Sequence, residues 1–236
     1  MTVRLLTLWD SVSKDPLWNL SLEEAILDTL HQSKHTYTFI IWFNPPSVVL
    51  GRFSKVDNEV NIEYCKSEGI RVVRRISGGG TIYHDQGCLN ISLLVKRRLW
   101  AETLYQILGD LVAKTIQALG VRRADIVLRE NNIFVSELKI CGMAAHIRND
   151  RSLVHTSILI ESNLEKLKRS LKKLKYPVMN LSKITNASIN DFVKILRKII
   201  QEDYEVIDEM EINISEINQA SIVYLEKYTN KKWNIL

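Results

Sequence analysis

Arg74-Arg75-Ile76-Ser77-Gly78-Gly79-Gly80-Thr81-Ile82-Tyr83-His84-Asp85 is the stretch on which the reading of this chain turns. The chain has nine glycines, yet Gly78, Gly79, Gly80 and Gly87 fall within ten residues. Three consecutive glycines after a strand permit positive φ and let backbone N–H groups approach a ligand closely. Arginines at the loop's edge can fork onto phosphate or carboxylate oxygens. The plainer alternative is a flexible hairpin carrying two solvated arginines. The spacing is neither that of a Walker loop nor that of a dinucleotide fingerprint. His84-Asp85 suits acid–base or metal chemistry, or a structural histidine at a strand start. No second histidine follows at i+3 or i+4, and the nearby carboxylates make no metal cage.

Outward from the loop, Ile70–Arg75 reads as the strand before it and Cys88–Val95 as the strand after it. A short helix over 61–68 ends at Gly69. Further back, Tyr37–Phe43 is aromatic and β-branched, stopped by Asn44-Pro45-Pro46, and Ser47–Leu50 resumes as a short strand. Ser21-Leu22-Glu23-Glu24 reads as a capping box opening a helix. Downstream, Leu104–Leu119 is a helix closed by Gly120. Asn132–Val135 and Leu138–Ile147 are strands, and Ser152–Ile160 returns after the turn at 148–151. Helices are expected near 163–174, 189–201 and 214–228, with a strand-like Glu205–Ile207. Strands dominate the first two thirds and helices the rest, an α+β pattern of mixed and antiparallel sheets packed with helices. One domain over 1–236 is expected, with no separate C-terminal accessory domain.

Composition narrows the class. With 46% hydrophobic and 25% charged residues over 236 positions, the chain can bury a sizeable core and is not wholly disordered. The net charge of +5 is concentrated: 165–175 (EKLKRSLKKLK) carries six basic residues and one acid, and the rest of the chain balances. Leu167, Leu171 and Leu174 at i, i+4, i+7 predict a helix with an inward apolar face and solvated lysines. Aromatic residues are absent from that stretch, which disfavours nucleic acid as a partner. The expectation is a solvated face, or a docking face for an acidic protein partner, outside the active site. Cys65, Cys88 and Cys141 are odd in number without C-x-x-C spacing, against a disulfide framework or structural zinc. No signal peptide or membrane-length apolar run is visible, with Asp10 and Asp15 near the start, so a reducing cytoplasmic setting is expected.

Arg74–Asp85 resembles the signature of lipoate-protein ligases of the biotin/lipoyl ligase superfamily. Asn19–Glu24, Val49-Leu50-Gly51-Arg52, Glu130-Asn131-Asn132-Ile133, Leu138–Ala144 and His155-Thr156-Ser157 follow in the family's order, over roughly residues 1–175. The resemblance implies a fold like that of class II aminoacyl-tRNA synthetases and biotin protein ligases. It also implies ligation of lipoate: lipoate and ATP give lipoyl-AMP and pyrophosphate, and a lysine of an acceptor domain then attacks. By resemblance, Lys139 is catalytic and touches both the acid and the adenylate. Arg75 and Gly80, Thr81, Ile82 and Tyr83 bind ATP. Arg75, Ser77, Gly78, Gly79, His84, Lys139 and His155 surround lipoate. Asn131 and Asn132 stand in the phosphate or metal neighbourhood, with Mg²⁺ arriving on the phosphates. Acceptors would be lipoyl domains of the 2-oxoacid dehydrogenase E2 type or glycine-cleavage H protein. Because about 75 residues follow the motifs, a separate small accessory ligase subunit is expected.

Departures are Asn132 for a usual Asp, Cys88 for a usual Asn, Cys141 for a smaller residue and Thr156 for a glycine. Taken alone, Lys139 is one strand lysine among many. Its small and apolar neighbours Ile140, Gly142 and Ala144 allow its ammonium to face a cleft, where a fixed cation stabilises developing negative charge. An octanoyltransferase reading stays open, since Cys141 lies two residues from Lys139 on one strand and would share its face. A ligase-like subunit that only binds is the other alternative, and biotin as the acid is disfavoured by the triple glycine.

Overall fold

The computed structural model describes residues 2–8, 14–204 and 206–234; Asp10 and Glu205, used above, lie outside them. In chain order the elements are β1 (Thr2–Thr7), α1 (Pro16–Thr29), β2 (Tyr37–Trp42), β3 (Ser47–Leu50), α2 (Val56–Glu59), α3 (Ile62–Ser67), β4 (Arg71–Arg74), β5 (Ile82–His84) and β6 (Cys88–Val95). Then come α4 (Ala101–Ala118), β7 (Ile126–Arg129), β8 (Asn132–Val135), β9 (Leu138–Ile147), β10 (Ser152–Leu159), α5 (Leu164–Ser170), α6 (Ser182–Thr185), α7 (Ile189–Asp203), β11 (Val206–Glu209), α8 (Ile214–Val223), a π turn (Tyr224–Tyr228) and α9 (Lys231–Asn234).

Two sheets result. The larger runs β11-β1-β2-β6-β10-β9-β8-β7, and the smaller β4-β3-β5. β1 is parallel to β11 and β2, β3 is parallel to β4, and the other pairs are antiparallel. The α+β class and mixed sheets expected from the sequence are what the chain adopts. β2 is buried on both faces, which its unbroken run Tyr-Thr-Phe-Ile-Ile-Trp demands. Phe39 and Ile41 join Leu104 and Leu108 of α4 and Phe192 and Leu196 of α7 in one core. Ile40 and Trp42 join Leu20 and Ile26 of α1 in a second.

β6 departs from this pattern and opens the functional cleft. Leu89, Ile91, Leu93 and Val95 fill the first core, whereas the alternate residues Asn90 and Ser92 are polar and buried. A polar row on a buried strand face must be satisfied by partners, and those partners build the site.

Several expectations are corrected, by a local cap in the first case and by tertiary contacts in the others. α1 starts at Pro16, not after Ser21: the Asp15 carboxylate accepts from Leu17 N–H at 3.0 Å, and proline occupies the first turn. Ser21 is therefore mid-helix and donates back to the Leu17 carbonyl at 2.7 Å, while Glu24 accepts from Lys227 at 2.9 Å. α5 stops at Ser170 instead of 174, because Leu171 turns extended and bridges Val60 while Lys172 N–H bonds the Glu59 carbonyl at 2.9 Å. The strand near 205 runs from Val206 to Glu209, paired with β1. Among the described residues no helix is long and apolar enough to cross a membrane.

Candidate active site

Strand register lays a floor for the site. Trp42 pairs with Asn90, Asn90 with Ser157, Ser157 with Gly142, and Gly142 with Asn132. This row crosses β2, β6, β10, β9 and β8, about 19 Å at the usual strand spacing. All five residues line one cleft of about 640 Å³. Gly79, Gly80, Thr81 and Ile82 form one wall, and Leu171, Lys173, Leu174, Lys175, Tyr176 and Val178 form the other.

The second wall is a correction. The basic stretch does not lie outside the site: only its first part is helix, and Lys173 and Lys175 line the cleft. Pairing carries it there, since Lys139 N–H bonds the Pro177 carbonyl at 2.9 Å and Met179 N–H bonds the Lys139 carbonyl at 3.1 Å. Leu167 and Leu171 are buried as expected, but Leu174 is 38% exposed.

A β-bulge aims Lys139. Across β8 and β9, Ile133 opposes Cys141 and Phe134 opposes Lys139, which leaves Ile140 as the extra residue. The bulge shifts the alternation, so Ile140 and Cys141 both enter the first core while Lys139 and Gly142 both line the cleft. Lys139 and Cys141 thus do not share a face. A Cβ on Gly142 would lie 2.8 Å from Lys139 Nζ and 3.1 Å from Asn132 Oδ1, so the ammonium rests directly over this glycine. Burial, with Lys175 and Arg75 nearby, lowers the Lys139 pKa, partly offset by Cys141. Among the described residues nothing hydrogen-bonds or ion-pairs with Nζ. A half-buried, unpaired ammonium between Lys175 and a polar floor is suited to a carboxylate or phosphate oxygen.

The arginine pair is neither solvated nor free to fork onto a ligand. Arg74 is fully buried and donates to the carbonyls of Gly51, Ser54 and Trp233 at 2.7 to 2.8 Å. Arg75 donates from Nε to Ser77 Oγ at 2.8 Å, from Nη1 to the Val49 carbonyl at 3.1 Å, and from Nη2 to the carbonyls of Gly78 and Gly80 at 2.6 and 2.8 Å. It holds the glycine loop's shape, and burial pushes its pKa down to about 10 against the pull of Glu23 and Glu59. Ser77 is fully buried beneath the loop. Tyr83 points the other way, into the small sheet's core.

Two carboxylates that sequence reasoning missed complete the site. Glu23 accepts from His155 Nδ1 at 2.9 Å and from the Ser92 hydroxyl, while the Ser77 hydroxyl donates to His155 Nε2 at 2.7 Å. Burial alone would raise the Glu23 pKa, but facing His155 and the hydrogen bonds hold it below the usual value. Glu59 accepts from both the Thr81 N–H, at 3.1 Å, and the Thr81 hydroxyl. For Glu23 the available signal was its place in the Asn19–Glu24 segment, although it lies in the middle of α1; Glu59, the last residue of the four-residue α2, carried none. Asn131 donates to the Met143 carbonyl, and Asn132 donates to Asn131 Oδ1 at 3.1 Å, which makes the β8–β9 corner rigid. No group of three metal-ligating side chains exists among the described residues. The donor set does not fit a protein-held Mg²⁺.

His84 is the middle member of a directed chain of hydrogen bonds. Asn19 donates to Asn44 Oδ1 at 2.9 Å, Asn44 Nδ2 to His84 Nδ1 at 3.1 Å, His84 Nε2 to Ser157 Oγ at 2.8 Å, and Ser157 Oγ to Asn90 Oδ1 at 2.7 Å. Burial, then Arg75 and His155, lowers the His84 pKa from 6.5 to about 3. Between those values the unfolded chain binds a proton that the folded one refuses. Its contribution to stability is therefore full above 6.5 and is lost as pH falls toward 3. Urea unfolding from pH 7 to about 4.5 should show wild type losing stability more steeply than His84→Gln, by up to about 1.4 kcal/mol per pH unit. Parallel curves would mean that His84 titrates normally.

Residues 15–201 match the model of the lipoyl protein ligase A/B catalytic domain. A protein of Aeropyrum pernix named as a lipoate-protein ligase A is 37% identical over 65% of this chain and 57% of its own length. Lipoate–protein ligase 1 of Staphylococcus aureus is 31% identical over 93% of this chain and 70% of its own. The chain thus spans little more than half of the first relative. Among solved structures, a Thermoplasma acidophilum protein with bound lipoic acid superposes with TM-score 0.90 at 26% identity, each chain covered completely. A bi-partite lipoate protein ligase from that organism, studied with its E2 lipoyl domain, gives 0.88 at 25% identity, covering 100% of this chain and 96% of that one. A lipoate-protein ligase A bound with ATP gives 0.89 at 25% identity, covering 100% and 99%.

Proposed function

Because this chain belongs to the lipoyl protein ligase A/B catalytic domain family, we propose that it activates lipoate with ATP and passes the lipoyl group to a lysine of an acceptor lipoyl domain. The observation that carries this reading is the unpaired, half-buried Lys139 ammonium over Gly142, between the glycine loop and the basic wall. One cation there can hold the acid's carboxylate and a phosphate oxygen together, so that the nucleophilic oxygen faces the α-phosphorus. As the carboxylate oxygen bonds to phosphorus and pyrophosphate departs, charge concentrates on the phosphate oxygens, and a preorganised ammonium stabilises it without moving. Lys173 and Lys175 add positive potential on the wall that meets the polyphosphate. Leu20, Trp42, Val49 and Ile82 offer the acyl arm an apolar trough and exclude water from the adenylate.

The acceptor domain and a separate accessory subunit are carried over as part of the proposal from the bi-partite Thermoplasma ligase. Transfer through a Cys141 thioester has no geometric support. Its thiol is 1% exposed in the core, and burial raises its pKa despite Thr156 and Lys139, so no thiolate faces the cleft. The test is lipoate-dependent exchange of labelled pyrophosphate into ATP by the purified chain, alone and with an accessory subunit. Exchange that appears only with lipoate present supports the reading. No exchange in either preparation, with transfer from a pre-activated lipoyl donor intact, would replace it with a transferase.

A further inference from the structure

The hydrogen-bond chain from Asn19 through Asn44, His84 and Ser157 ends at Asn90, and its direction decides what Asn90 offers. Ser157 donates to Asn90 Oδ1, which turns the amide nitrogen away from Ser157. Asn90 is 1% exposed, and Nδ2 is buried with no acceptor among the described residues. An unpaired buried donor costs roughly 1–3 kcal/mol, and an acceptor brought to it recovers part of that cost. Asn90 lines the same cleft as Lys139.

Register places that donor relative to the proposed carboxylate site. Gly142, beneath the Lys139 ammonium, is two strands from Asn90 along the floor row, about 9–10 Å at normal strand spacing. An acid whose carboxylate rests on Lys139 and whose pentanoyl arm runs along the row brings its dithiolane ring to Asn90, between Trp42 and Ser157. The apolar lining there, Leu20, Val49 and Ile82, offers no side-chain hydrogen bond, and His84 beside it spends both ring nitrogens on Asn44 and Ser157. A thioether-like sulfur is a weak acceptor, whereas the methyl end of octanoate accepts nothing.

We infer that the Asn90 amide N–H is a specificity determinant, donating to a dithiolane sulfur and so favouring lipoate over a straight-chain acid of equal length. The inference rests on the proposed function, because it takes the carboxylate end from Lys139. A lipoate ligand leaves no unpaired donor in the closed cleft; octanoate leaves Asn90 Nδ2 buried and unsatisfied. Discrimination is modest because sulfur accepts weakly, about 5- to 10-fold, well below that of a site built around a hydroxyl.

The experiment measures direct binding of (R)-lipoate, octanoate and the cyclopentane analogue of lipoate, in which both sulfurs are methylenes, to the wild-type chain. Asn90→Leu is measured in parallel. Wild type should bind lipoate about 5- to 10-fold more tightly than its carbocyclic analogue, which matches it in shape, and Asn90→Leu should bring the ratio close to one. Equal wild-type affinities for lipoate and the analogue overturn the inference even if the variant fails to fold. So does a ratio that Asn90→Leu leaves unchanged. If none of the three acids binds, the function reading falls instead.

Discussion

Replacing Lys139 with methionine should lower the rate of lipoate-dependent pyrophosphate exchange roughly 10²- to 10³-fold while leaving the protein as stable as wild type or more so. The two directions together identify the role. The side chain is half-buried, without a hydrogen-bond or ion-pair partner among the described residues, and that partial burial lowers its pKa. Methionine keeps most of the volume and removes the desolvation cost of the charge. A lysine present to hold β9 in place would do the reverse, with stability falling along with activity. The β9 backbone is already anchored without the side chain, through Pro177 and Met179. Thermal denaturation alongside exchange kinetics checks both arms, and a loss of stability comparable to the loss of rate would sink the assignment.

The second large effect comes from one hydrogen atom. Gly51→Ala would put a Cβ 2.0 Å from the Gly79 carbonyl oxygen and 3.2 Å from that of Gly78. Both obstacles are backbone, so no rotamer relieves them. The loop cannot yield easily, since Arg75 grips the Gly78 and Gly80 carbonyls, and Arg52 N–H bonds the Ser77 carbonyl at 2.8 Å. Gly79 already stands at φ +81°, a conformation that only glycine adopts without strain. We expect Gly51→Ala to cost about 1–3 kcal/mol in urea unfolding. The displaced loop should reduce exchange by roughly 10²-fold, as misplacement of a catalytic wall by about 1 Å does. Gly78→Ala is the control: a Cβ there meets nothing within 4 Å, so stability should stay near wild type. If the two variants behave alike, close packing of 51 against 79 is not what holds the loop.

These two glycines show how far the site was legible. The triple glycine marked the loop, but three identical letters do not say that Gly79 needs positive φ while Gly78 has open space around it. Lys139 was legible through its small neighbours, and His84 and His155 through the motif. Glu23 and Glu59 were not, because a carboxylate in a helix ordinarily faces solvent. Here α1 is buried along most of its length, and its glutamates meet His155 and Lys227 from distant parts of the chain. The helix start moved for a local reason, since a sound capping box at Ser21–Glu24 lost to Asp15-Pro16 six residues earlier.

Local physics sufficed for much of this protein. Alternation and β-branching placed β2, β6, β9 and β10, glycine closed α4, and the strand–glycine–strand pattern located the loop, because each depends on residues within a few positions of one another. Contact between distant segments decided the rest. The phase of β9 depends on a bulge against β8, and one extra residue moves Cys141 into the core while it turns Lys139 to the cleft. The basic stretch reads as an amphipathic helix until Val60 pairs with Leu171 and Lys139 pairs with the segment just after it, at Val178, which turns solvated lysines into a wall of the site. A side chain's face follows from register, and register is a property of two strands.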